Sequence, residues 1–191
     1  KMNPILLAVG NTDWTETGRK NLENLSDTFS CEILQLNLNK NAARIIAKKS
    51  FEDMGQPTWY MDSLIYAYPY NMAMKLGLKL LVYGENITYA YGGKFKTETP
   101  SAMLQPFNDV VKTYPDEWLG VSGLSEKDLQ STIPPSVEDC KKSDLEPIYL
   151  SYFVPWDSHH NYQVAKRWGF QHLSHEYIRE GSIEQYNQID S

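Results

Sequence analysis

The sequence predicts an α/β fold built on a doubly wound, mostly parallel sheet with a helical insertion. Three observations carry that expectation. Short continuous apolar runs, Ile5–Val9 and Leu78–Tyr83 above all, read as strands buried on both faces. Stretches of helical periodicity alternate with them, and such alternation implies parallel strands joined by right-handed crossovers. The chain has 191 residues, 41% of them hydrophobic, which is enough for one domain with a proper core.

Taken in order, Ile5–Val9 is the first strand, ended by Gly10-Asn11. Thr12–Glu16 supplies capping residues and an early acidic charge, which start a helix carrying Leu22, Leu25 and Phe29. Cys31–Leu38 alternates apolar and polar residues and reads as a second strand. Asn41–Phe51 reads as a helix, and Gly55-Gln56-Pro57 ends it. Asp62–Leu76 is a long apolar helix with Pro69 inside, where a kink or break is expected. Gly77 is placed to cap it, and Leu78–Tyr83 is the third strand.

Residues 94–146 are proline-rich and of mixed charge, and read as the helical insertion at the sheet edge. Ala102–Tyr114 and Ser125–Thr132 are its short helices, and Val137–Asp144 is a polar stretch. Ile148–Val154 is the fourth strand, ended by Pro155. Asp157 or Ser158 can cap a helix that runs to Trp168, with Gly169 after it. The polar, aromatic tail Ser174–Ser191 follows.

Several function classes are disfavoured at once. The net charge of −6, with no basic cluster, argues against binding a phosphate backbone. The two cysteines, Cys31 and Cys140, have no CxxC spacing and fit a reducing cytosol. No apolar run approaches the length of a membrane span. There is no Walker A loop, no dinucleotide fingerprint, no Gly-x-Ser-x-Gly elbow and no His-Glu-x-x-His.

What remains are residues that follow strands, where open α/β sheets place their ligands. Gly84-Glu85-Asn86 puts a carboxylate and an amide directly after the third strand. They can grip ribose, a sugar or a metal-bound phosphate; alone, the tripeptide favours a capping turn. Tyr91-Gly92-Gly93 offers either close backbone approach or a hinge. Gly10-Asn11-Thr12-Asp13-Trp14 is either an adenine-facing loop or an ordinary strand-to-helix connection. Asp157 is either a general base or substrate clamp, or an N-cap, and the adjacent His159 and His160 point to different helix faces, a poor metal pair. The thirteen tyrosines and five tryptophans are core or boundary residues by default.

Five segments change the balance when read together: GNTDWTETGRKNLENL, LLVYGEN, YGG, YFVPWDSHHNYQVAKRWGF and EGSIEQYNQID. In order and spacing they resemble the N-acetyl sugar amidotransferase family of lipopolysaccharide and O-antigen biosynthesis. That family lies within the ATP pyrophosphatase, or adenine nucleotide alpha-hydrolase-like, superfamily. The resemblance implies a Rossmann-like nucleotide-binding domain, ATP and Mg²⁺, and a cytoplasmic enzyme that converts an acetamido sugar to an acetamidino sugar. Ammonia would come from a separate glutaminase–cyclase pair. No nucleic acid or membrane partner is implied, and a homo-oligomer is left open. Carried over, Val9, Gly10, Asn11, Gly84 and Asn86 would contact the nucleotide. Glu85 and Asp157 would be catalytic. Tyr91, Gly92, Gly93, Trp156 and Asn161 would hold the sugar, and no metal-binding residue is assigned.

The departures matter as much. The family's Ser-Gly-Gly-x-Asp-Ser loop belongs before Ile5 and is missing from this sequence. Thr58 and Met61 stand where the family often has a Cys-x-x-Cys pair. The family also extends past Ser191. The expectation is therefore a central segment, residues 1–191 forming one partial domain, with weak or no ATP hydrolysis by itself and an open sheet edge near Ile5–Val9 that pairs with another chain or limits solubility. The competing reading is a non-catalytic nucleotide- or sugar-binding module that has lost the phosphate loop. A small regulatory nucleotide-binding domain is weaker, because the insertion is large for it.

Overall fold

The computed structural model describes residues 3–10, 15–84, 99–104 and 113–172. They form an α/β structure of short parallel strands and helices. The chain divides into two compact units, one made of the residues up to Asn37 and those from Trp156 onward, the other of Leu38–Pro155.

In the first unit, β1 (Ile5–Val9) pairs in parallel with β2 (Glu32–Leu36) from Ile5 opposite Glu32 to Val9 opposite Leu36. Helix α1 (Glu16–Phe29) connects them. The Thr15 hydroxyl caps it by accepting the Gly18 N–H at 2.9 Å. The second strand is shorter than the expected Cys31–Leu38, because its ladder partner β1 has only five residues and Asn39 already caps the next helix. The buried face of α1 is Thr17, Gly18 and Asn21, whereas Leu25 and Phe29 stay exposed.

A later helix, here α6 (Ser158–Arg167), belongs to the same unit. Its end is tied to α1 by amides. The Asn21 side chain donates to the Gln171 carbonyl at 2.8 Å and accepts the Gln171 N–H at 2.8 Å. Asn24 donates to the Trp168 carbonyl at 2.6 Å. Gly169 sits at φ 90°, a backbone conformation that favours glycine, and a Cβ there would lie 2.9 Å from the Asn24 side chain, which would have to shift.

The second unit packs α2 (Lys40–Met54) and α3 (Trp59–Lys75) with β3 (Leu80–Tyr83). Helix α3 starts one turn before the expected Asp62 and runs through Pro69 without interruption. It is apolar around its circumference, as a helix buried on several sides must be, and Trp59, Leu64, Ala67, Tyr70 and Ala73 are all buried. Gly77, at φ 65°, closes it: the Leu78 N–H reaches the Ala73 carbonyl at 2.9 Å and the Gly77 N–H reaches that of Met74 at 3.1 Å. That closure uses Leu78, which is why β3 begins at Leu80 rather than at the expected Leu78.

The insertion contains a 3-10 helix, Asp116–Gly120, and two short helices, α4 (Glu126–Gln130) and α5 (Val137–Lys142). A reciprocal capping box of Ser125 and Asp128 starts α4. The stretch read as merely polar, 137–144, is thus mostly helix, nucleated by the Ser136 cap. The expected helix from Ala102 does not begin there. Ser101 instead bridges Ile148 in antiparallel fashion, and residues 105–112 lie outside the described part.

Strand β4 (Glu146–Tyr149) pairs in parallel with β3, from Leu80 opposite Glu146 to Tyr83 opposite Tyr149. Pro147 is tolerated because Glu146 directs its N–H to β3, onto the Lys79 carbonyl at 2.8 Å, whereas Pro147 turns its carbonyl away, to the Ala102 N–H at 2.8 Å. The expected strand to Val154 is a correction. The β3 partner ends at Tyr83, so beyond Tyr149 the chain has no ladder to join and turns into a 3-10 helix, Leu150–Tyr152.

The expected single sheet is also absent among the described residues. They form two separate two-stranded ladders, β1–β2 and β3–β4. No described strand pairs with the second edge of β1 or of β3. No described helix is long and apolar enough to cross a membrane.

Candidate functional site at the strand ends

Two parallel strands end on a glycine, and the two glycines are not equivalent. Gly10 follows β1. Its N–H donates to the Leu36 carbonyl at 2.6 Å, and a Cβ there would lie 2.7 Å from that same oxygen and 2.8 Å from the Gln35 amide. Close packing against the end of β2 therefore accounts for Gly10. Gly84 follows β3. A Cβ there would meet nothing within 4 Å among the described residues, and its φ is not in the left-handed region. Among the described residues, neither packing nor backbone geometry requires a glycine at that position, and the same is true of Gly120.

The β3 end is supported from below by three buried tyrosines. The Tyr70 and Tyr83 rings are 6.0 Å apart, and the Tyr83 and Tyr149 rings 6.3 Å. The Tyr70 hydroxyl donates to the Ala102 carbonyl. Burial first, then the nearby Tyr149 and Cys140, holds that phenol far above its ordinary range, so it stays protonated and structural. Burial, with Asp139 adding to it, also pushes the Cys140 thiol up, and both cysteines are free and buried. Cys140 is therefore unsuited to nucleophilic chemistry.

The expected site residues fall into three groups. Val9 and Gly10 end β1 in the first unit, and Trp156, Asp157 and Asn161 belong to that unit as well. Gly84 belongs to the second. Asn11, Glu85, Asn86, Tyr91, Gly92 and Gly93 lie outside the described residues. Asp157 has an assigned structural role. Its Oδ1 accepts the His160 N–H at 2.9 Å and caps α6. Trp156, Asp157 and Asn161 are all exposed. Thr58 donates its hydroxyl to Asp62 at 2.8 Å in the first turn of α3.

Sequence reasoning missed the segment beyond β4. Read as strand, Leu150–Val154 instead leaves the ladder with Leu150, Tyr152, Phe153 and Val154 exposed. The signal was present in the run of apolar residues without alternation before Pro155, but strand and exposed turn cannot be told apart by that pattern alone.

Among the described residues no group of three or more His, Cys, Asp and Glu side chains is arranged to hold a metal ion. No protein-family model matches the chain, and no curated protein matches it.

Proposed function

We propose that this chain is the nucleotide-binding part of an ATP-dependent enzyme that amidates the acetamido group of a sugar, built on a doubly wound, adenine nucleotide alpha-hydrolase-like sheet. The observation that carries the reading is Gly84: a glycine that no packing or backbone geometry among the described residues requires, at the carboxyl end of a parallel strand, followed in sequence by Glu85 and Asn86. The order of the five sequence segments supplies the chemistry.

An amide oxygen is a poor leaving group. In the proposed reaction it attacks the α-phosphorus of ATP and pyrophosphate departs. Ammonia then adds to the activated carbon, and AMP leaves with the former amide oxygen, giving the acetamidino sugar. The protein's part is to hold the two reactants in line and to move protons from the attacking nitrogen. Glu85 is proposed as the base, and Asp157 as a clamp on the sugar from its capping position. The resemblance assigns nucleotide contacts to Val9, Gly10, Asn11, Gly84 and Asn86, and sugar contacts to Tyr91, Gly92, Gly93, Trp156 and Asn161. No step is assigned to Mg²⁺. A glutaminase–cyclase partner would deliver the ammonia.

An assay of the protein tests this directly. Pyrophosphate release should require both an acetamido sugar and ammonia, and Glu85→Ala should abolish it. Release that ignores the sugar, or full activity in Glu85→Ala, would refute the assignment.

A further inference from the structure

The residues after β4 present an exposed aromatic pair to which the reading above assigns no role. Tyr152 and Phe153 stand edge to face, with ring centroids 5.2 Å apart and planes at 78°. They remain 46% and 58% exposed, between exposed Leu150 and Val154. The ladder bounds their distance from the strand ends. Tyr149 is opposite Tyr83, and Gly84 follows Tyr83, so the carboxyl ends of β3 and β4 are neighbours. Tyr152 is three residues beyond Tyr149, within a chain reach of about 10 Å.

Two considerations select the occupant. Half-exposed side chains of this kind offer roughly 400 Å² together, about half of what one partner contributes to a stable protein interface. A small ligand fits that area better than a protein does. Open α/β sheets also bind their ligands outside the carboxyl ends of the strands. Two rings at right angles present one face and one edge, which suits the apolar C–H face of a pyranose and the methyl of its acetamido group.

We infer that Tyr152 and Phe153 form the stacking platform for the acetamido sugar beside the β3 end. The identity of the ligand rests on the proposed amidotransferase reading; the platform itself rests on the exposed pair and the ladder register. The roles are binding and orientation only.

The test uses the full chain with two probes, the methyl glycoside of N-acetylglucosamine and AMP, followed by titration calorimetry and by saturation transfer from the protein's aromatic protons. Tyr152→Ala and Phe153→Ala should each weaken the glycoside about tenfold, and Phe153→Tyr, which keeps the ring, should retain it. AMP affinity should not change in any variant. Unfolding midpoints should also be unchanged, because both side chains are exposed. The proposal is overturned if the parent chain does not bind the glycoside, if neither alanine variant weakens it, or if AMP is lost instead. A shift in sedimentation on substitution would equally overturn it, in favour of a protein contact. Failure of AMP to bind, with the glycoside behaving as expected, would count against the enzyme reading and leave the platform standing.

Discussion

Trp118 is the side chain whose loss should most damage the second unit. It sits on the 3-10 helix Asp116–Gly120 and is fully buried. Its ring meets that of Trp59 edge to face, with centroids 5.2 Å apart at 84°. Its Nε1–H donates to the Asp53 carboxylate at 2.8 Å. Removing about 150–250 Å² of apolar surface at ~25 cal/mol per Å² gives an upper bound of roughly 4–6 kcal/mol. Measured losses for buried tryptophan cut to alanine run about 3–5 kcal/mol. Against a typical stability of about 5–15 kcal/mol, that is a large fraction. Urea unfolding of Trp118→Ala, followed by circular dichroism, should therefore show a destabilisation of about 3–5 kcal/mol, and Trp118→Phe a smaller one. A double-mutant cycle with Trp59→Ala should show coupling of at least about 0.5–1.5 kcal/mol from the ring pair. A loss below about 1 kcal/mol, or strict additivity, would refute the view that this pair anchors the insertion to α3.

Further expectations follow from the same geometry. Gly10→Ala should lower the melting temperature, because its Cβ would strike the Leu36 carbonyl, whereas Gly84→Val should leave stability intact and weaken nucleotide binding; calorimetry of both variants checks the contrast. The Trp118 hydrogen bond, then Lys49, holds the Asp53 carboxyl below the ordinary carboxylate value of 3.8. Its contribution to stability is therefore fully present above that value and lost as the pH falls through the lower folded one, so Asp53→Asn should flatten the acid limb of a stability–pH curve. Asn21→Ala removes both bonds to the Gln171 backbone and should destabilise the first unit by about 1–3 kcal/mol, read by hydrogen exchange in α1 and α6.

The sequence carried the α/β class because the signals were strong and local. The run Ile5–Val9, the Thr15 cap and the Gly77 closure each act over a few residues, and each appears at or next to the expected position. Strand ends were less legible because a ladder partner sets them. Ile148–Val154 has the composition of a strand throughout, yet pairing stops at Tyr149 where β3 stops. Pro147 and the antiparallel bridge of Ser101 depend on long-range contacts that periodicity does not encode. The site divided along the same line. Asp157 was readable as a cap from its place before a helical pattern. The difference between Gly10, wedged against β2, and Gly84, facing open space among the described residues, required coordinates.

The central claim is that the amide oxygen of an acetamido sugar is activated on ATP and displaced by ammonia. A heavy-oxygen label in the acetamido carbonyl, traced by mass spectrometry through a single turnover with the protein, tests it most directly. The account predicts that the label appears in the phosphate of AMP, with nitrogen from labelled ammonium in the sugar. Label retained in the sugar, or released as water with unlabelled AMP, would contradict it.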